Sequence, residues 1–309
     1  NTYNIISPLL EKAVALDSTY ADALAYLAIA KITRYEDEEA ADYVEKEIKA
    51  FGEATILVEK ALLFEPDHEL SLGLSIIMPL IQMQIDKSEN YDLFMMRKLA
   101  IQLDGYISKF PDSPFALALS GVYFIMKNNL IEDDNNIKIA KENLFKSHKI
   151  IKNSYLKIKD PMYEHAKQVI FEFLPFMLTW TCDDAPCDEG AKFVLENKEM
   201  MCLDGTYDCI NASSLLGLQN IFYAVFYYEE AMELIKKTTA RTTDELNLEG
   251  EDLGIQKLAF YRSGMINMKW GEYDKAINGF SNALALTLEY KDDKDPFWIT
   301  HYEKRLALV

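Results

Sequence analysis

Apolar residues recur along this chain three and four positions apart, the spacing of one face of an α-helix, in one block after another. Ile6, Leu10 and Ala13 mark one such face, and Leu24, Leu27 and Ala28 open the next. Ala54, Val58 and Ala61 carry the pattern to Pro66, whose ring cannot continue a helix. Leu99, Leu103 and Tyr106 run to Pro111 in the same way, and Leu117, Gly121 and Phe124 begin a block closed by Ala140 and Leu144. Asp160 followed by Pro161 is a helix start, with Tyr163, Ala166, Val169, Ile170, Phe173 and Phe176 at helical spacing and a kink expected at Pro175. Asp188 is placed to cap a helix over 189–201, and one long apolar helix is expected over 212–237. The Thr- and acid-rich stretch 238–252 reads as flexible. No series of alternating runs joined by hairpin turns suggests a sheet, so the expected class is all-α.

The blocks also repeat one another. Residues 9–23 read LLEKAVALDSTYADA and 57–68 read LVEKALLFEPDH, sharing EKA and a turn signal at the same distance. The clearest copy reads FYRSGMINMKWGEYDKAINGFSNA over 260–283. Its Phe260, Gly264, Gly271, Tyr273, Ala276, Phe280 and Ala283 have the spacing of the tetratricopeptide repeat, and the chain resembles that family. Small residues at Gly264, Ala276 and Ala283 would let two antiparallel helices approach, Phe260 and Phe280 would fill the space between them, and Gly271 would make the turn. Ser263 and Leu288 depart from the family pattern, and the last helix of this copy is expected to stop near 291–296. Ala13, Ala61, Pro66 and Gly121 mark weaker copies. The resemblance implies stacked antiparallel helical hairpins in a right-handed solenoid, with a non-repeat helical insertion. The expected division is 1–153 for degenerate repeats, 154–252 for the non-repeat segment and 253–309 for the C-terminal hairpin, in one continuous domain.

Composition narrows the function. Of 309 residues, 50 are Asp or Glu and 32 are Lys or Arg, a formal charge of -18. Such a surface repels phosphate backbones, which argues against general nucleic-acid binding. The uncharged run 210–228 is long enough to span a bilayer but too polar, with Asn211, Ser213, Ser214, Gln219 and Asn220, so no transmembrane segment is expected. The chain opens on Asn1, as a processed or truncated chain would, which leaves room for an upstream signal or lipid anchor.

Catalytic chemistry finds little to stand on. His68, His148, His165 and His301 fall in no metal-ligand spacing; His68 reads as a solvated turn residue. No nucleophile elbow or phosphate-binding glycine loop is present, and neither cofactor nor metal is expected. Acidic clusters at 36–39, 132–134, 183–184 and 292–295 read as solvated surface, with a weak cation site near Asp183, Asp184 and Asp188 as the alternative. The expected function is therefore non-enzymatic. By resemblance, a concave groove built from the first helix of each pair receives a protein or peptide, basic or mixed in charge, with Tyr26, Tyr123 and Arg262 as candidate groove residues. A second reading takes Phe222, Tyr223 and Phe226 as the wall of an apolar pocket. It would make the chain an extracytoplasmic ligand-binding or transport accessory protein similar to the T-components of tripartite solute transporters, some of which are homo-oligomeric.

The four cysteines stand close together as C-x4-C-x14-C-x6-C. Bridges Cys182–Cys187 and Cys202–Cys209 are expected across two short loops, against crossed pairing, a zinc site and free thiols. Bridges would place the protein in the periplasm, outside the cell or at its surface.

Overall fold

The computed structural model describes residues 2–33, 43–85, 93–131, 133–154, 161–181, 185–202, 207, 212–244, 251–289 and 296–309. They form fifteen helices and, among the described residues, no strand. In order these are α1 (Thr2–Leu16), α2 (Ala21–Thr33), α3 (Tyr43–Phe64), α4 (Glu69–Ile85), α5 (Leu93–Lys109), α6 (Pro114–Leu130), α7 (Asp134–Ser154) and α8 (Pro161–Trp180). Then follow α9 (Glu189–Glu196), α10 (Lys198–Met201), α11 (Ala212–Ala224), α12 (Tyr228–Asp244), α13 (Glu251–Lys269), α14 (Tyr273–Glu289) and α15 (Pro296–Leu306). The chain forms two compact units, Asn1–Ile170 and Phe171–Val309, each a stack of antiparallel helical hairpins. The all-α hairpin architecture read from the sequence is the one observed. The sequence boundaries at 153 and 252 mark where repeat-like spacing stops and resumes, a different division from these units.

In the first unit, α2 pairs with α3 and α6 with α7. Ala21, Leu24 and Ala61 pack with Val14 and Leu57, so small residues set the approach of α1, α2 and α3. Lys31 of α2 ties this layer at its surface, 3.7 Å from Glu11 and 3.3 Å from Glu53. Turn chemistry places α6: Ser113 accepts the Ala116 N–H at 3.1 Å and Pro114 takes the first helical position. Gly121 lies against Leu144 of α7; a Cβ there would stand 2.6 Å from the leucine Cγ. His68 corrects the sequence reading. It is buried rather than solvated, with Nε2 3.0 Å from Asp22 and Nδ1 2.7 Å from Ser71, and so bridges α2 to the start of α4.

In the second unit the expected long helix over 212–237 is two helices. The chain turns between Ala224 and Tyr228 through Phe226 at φ 67°, and α11 folds back on α12. This turn matches the one between α13 and α14. Phe226 and Gly271 (φ 75°) hold one position, with their N–H groups donating to Tyr223 and Met268 respectively. The next N–H groups, of Tyr227 and Glu272, both reach back at 2.9 Å, to Phe222 and Asn267. At the same constant offset Ala231 corresponds to Ala276, Ile235 to Phe280 and Thr238 to Ala283, all buried. In the later hairpin a Cβ on Gly264 would stand 2.6 Å from the Phe280 ring. In the earlier one Gln219 and Thr238 take the places of Gly264 and Ala283, and the amide donates to the hydroxyl at 2.5 Å. The Thr-rich stretch expected to be flexible continues α12 as far as Asp244; Thr238 and Thr239 bond back to the carbonyls of Leu234 and Ile235. Residues 245–250 lie outside the described set. Helix α14 stops at Glu289, and Pro296 begins α15.

Candidate functional site

Helices α3 and α5 flank α4 in the first unit and leave a cleft of about 360 Å³ between them. Val58 and Leu62 of α3, Leu72 and Met78 of α4, and Leu99 and Tyr106 of α5 supply its apolar surface. Ile101, 74% exposed, and Met95 stand at the rim, with Glu59, Lys98 and Lys109 as its charges. Lys109 is ion-paired to Asp67. Pro79, inside α4, also lines the cleft; lacking an N–H, it leaves the Ser75 carbonyl without its helical donor. Gly105 lies along α5 at the wall, and a Cβ built there meets nothing within 4 Å. Sequence reading treats such a residue as a tolerated helical glycine, and nothing in the spacing flags it.

The corresponding place in the second unit, between α12 and α14 over α13, holds a cleft of about 420 Å³. Its lining is mixed: Ser263, Asn267, Asn278 and Asn282 stand among Met232, Ile235, Phe260 and Trp270.

The expected groove residues are not brought together. Tyr123 is buried, donates to the Met96 carbonyl at 3.3 Å and packs edge-on against Phe124. Residues 114–123 of α6 are all buried, and His165 of α8 packs on Phe115 with ring centres 6.0 Å apart, so this first helix offers no open groove along that length. Tyr26 is half-buried in α2. Phe222 is fully buried, Tyr223 half-buried and Phe226 72% exposed; neither cleft is lined by them. Of the repeat positions, Ala61, Ala276, Phe280 and Ala283 are buried, Ala13 and Phe260 half-buried, Pro66 exposed in a turn and Tyr273 exposed at the start of α14.

Arg262 and Tyr223 lie within electrostatic reach of each other. Helices α11 and α13 pack together, and the Arg262 Nη1 is buried without a hydrogen-bond partner. Burial brings its guanidinium down to about 10, against the opposing field of Tyr223. Tyr223 packs against Tyr228 with ring centres 5.8 Å apart and planes tilted by 51°. The Lys269 ammonium stands 5.6 Å from the Tyr228 ring centre and 5.9 Å from that of Phe226. A hydrogen bond to Tyr228 raises the Lys269 ammonium, and burial raises the Tyr223 phenol.

Burial pushes the His165 imidazole below its ordinary value, and Gln168 and Glu164 oppose it. His301 lies 2.8 Å from the Tyr261 hydroxyl, and burial lowers it together with Arg305 and Lys304. Among the described residues no group of three or more His, Cys, Asp and Glu could hold a metal ion. Asp188 precedes α9 without capping it through its side chain; its carboxylate engages Lys192 at 2.9 Å and the Tyr227 hydroxyl at 3.3 Å. Asp183 and Asp184, the rest of that acidic group, lie outside the described residues, as do 36–39, Glu132 and 292–295. Cys187 and Cys202 are each disulfide-bonded. Cys182 and Cys209 lie outside the described residues, and so does the pairing. Among the described residues no helix is long and apolar enough to cross a membrane.

No protein-family model matches the chain, and no curated protein matches it. Among solved structures it is similar to yeast Tom70, at 14% sequence identity and a TM-score of 0.40. The match covers 99% of this chain and 59% of that one, so the chain spans less than two thirds of its length. That likeness says nothing about partners.

Proposed function

We propose that the protein is a non-enzymatic interaction scaffold, and that the cleft between α3 and α5 receives an apolar anchor of a protein partner. Gly105 carries this reading. A glycine inside a helix costs about 1 kcal/mol relative to alanine, and no neighbouring atom excludes a side chain there. What the missing side chain leaves is room in the cleft. Methionines 78 and 95 line the same space, and their flexible thioethers adapt to varied apolar partners. The mixed charges at the rim suit a segment of mixed charge, while the overall charge of -18 favours approach by a net basic partner.

Selection of random peptides on the intact chain, followed by a hydrogen-exchange footprint of the best binder, tests the site. Enriched peptides with a large apolar residue, protecting amides of α3 and α5, support it. Binders that protect other helices and leave α3 and α5 unchanged contradict it.

The paired bridges Cys182–Cys187 and Cys202–Cys209, and with them an oxidising compartment outside the cytoplasm, are part of the same proposal. The bonded state of Cys187 and Cys202 supports it. Peptide mapping without reductant checks the pairing: a peptide joining the two halves of C-x4-C to those of C-x6-C would replace it with the crossed arrangement.

A further inference from the structure

Helix α7 reverses the charge of the chain: it carries five of the 32 basic residues and two of the 50 acidic ones. Its buried seam, Asn136, Ala140, Leu144, Ser147 and Ile151, lies against α6. On the other side Lys138, Lys141, Phe145, Lys149 and Lys152 follow at i, i+3, i+7, i+11 and i+14. That spacing makes one straight stripe about 21 Å long. Lys138, Phe145, Lys149 and Lys152 are exposed, and Lys141 is half-buried. Among the described residues no carboxylate stands in ion-pair range of Lys138, Lys141, Lys146 or Lys149, although Glu142 lies one helical turn from both Lys138 and Lys146. Lys138 and Lys141, Lys146 and Lys149, and Lys149 and Lys152 are like-charged neighbours three residues apart, which repel. The helix dipole favours a cation in the last turn, which accounts for Lys152 and for none of the others. Stability of the helix therefore does not explain the stripe.

We propose that this face of α7 docks an acidic segment of a protein partner, with Phe145 taking an apolar side chain set among the partner's carboxylates. Lysines on flexible stems act as mobile point charges, so they suit a row of carboxylates more than one fixed anion. A membrane surface fits less well. The apolar side of α7 is spent on α6, which leaves Phe145, 42% exposed, as its one openly exposed large apolar side chain, whereas a helix lying in a lipid interface needs a whole apolar face. A long polyanion such as nucleic acid would also meet the acidic remainder of the chain, while a short acidic segment meets α7 alone. Screening at physiological salt confines the attraction to about 8 Å from the lysines. The cleft lies on α3, α4 and α5 and this face on α7, so either can fail without the other.

The test uses the full chain and a fluorescent glutamate peptide with one central leucine, titrated by anisotropy at low ionic strength. The double variant Lys138→Gln, Lys149→Gln should weaken binding on the order of fivefold. The double variant Lys12→Gln, Lys304→Gln removes the same charge at positions that are likewise exposed, and should leave binding unchanged. All four substitutions are on the surface, so the circular dichroism of the three proteins should agree. Vesicles containing phosphatidylglycerol and a single-stranded oligonucleotide, added as competitors, should displace the peptide only at far higher concentration than the unlabelled peptide does. The proposal is overturned if the peptide does not bind the native chain, if the two double variants bind it alike, or if vesicles or oligonucleotide compete as well as the unlabelled peptide.

Discussion

Phe226 and Gly271 occupy the same left-handed turn position in successive hairpins, at φ 67° and 75°. A residue with a Cβ is strained there by about 1–2 kcal/mol, and glycine is not. Gly271→Ala should therefore lower stability by about 1 kcal/mol. Phe226→Gly, which removes a ring 72% exposed, should leave stability unchanged or raise it by up to about 1 kcal/mol. Paired denaturant melts check both. A loss of more than about 1 kcal/mol in Phe226→Gly would mean that the ring packs in a way its exposure does not suggest.

His68 joins Asp22 to Ser71 across two hairpins. His68→Ala leaves the buried Ser71 hydroxyl without that partner, and a loss of about 1–3 kcal/mol is expected. Asp22, more than half exposed, can turn to water, so Asp22→Ala should cost less. Urea titration of the two single variants and the double variant gives the coupling; additive losses would show that the His68–Asp22 contact contributes nothing.

Close approach of α13 and α14 depends on Gly264 under the Phe280 ring. Gly264→Ala places a methyl group where the ring lies, and overpacking of about 1–3 kcal/mol is expected. Phe280→Leu in the same chain should recover part of that loss, since the two positions share one space. Thermal melts that show strict additivity would contradict the packing.

Much of this hairpin was legible in the sequence, because sterics demand its residues: a glycine for the turn and small residues under a ring. The preceding hairpin was not, although it has the same backbone. There Phe226 takes the glycine's place, and a hydrogen-bonded Gln219–Thr238 pair takes that of the small residues, so a pattern made of residue types sees nothing. His68 was misread because Asp22 lies 46 residues earlier, a distance over which spacing carries no signal. The cleft was missed because Gly105 matters for the space it leaves. The expected first-helix groove failed at α6, where burial runs through 114–123 on every side of the helix.

Burial holds His165 below its ordinary value of 6.5 in the folded chain. The unfolded chain then binds the proton more readily, so stability is lost as pH falls through 6.5 and levels off below the folded value. His165→Phe should flatten this part of the curve of urea midpoint against pH while keeping the stacking on Phe115. A wild-type curve that the substitution leaves unchanged would show that His165 does not contribute to acid sensitivity.

The α3–α5 cleft is tested most directly by filling it from Gly105. Gly105→Leu meets no atom within 4 Å at its Cβ and gains helix propensity, so its melting temperature should match or exceed that of the native chain. Titration of the selected peptide into both proteins should then show affinity reduced on the order of tenfold or more in the variant, as expected when an apolar anchor is excluded. Equal affinity for the native protein and a stably folded Gly105→Leu would contradict the cleft as the binding site.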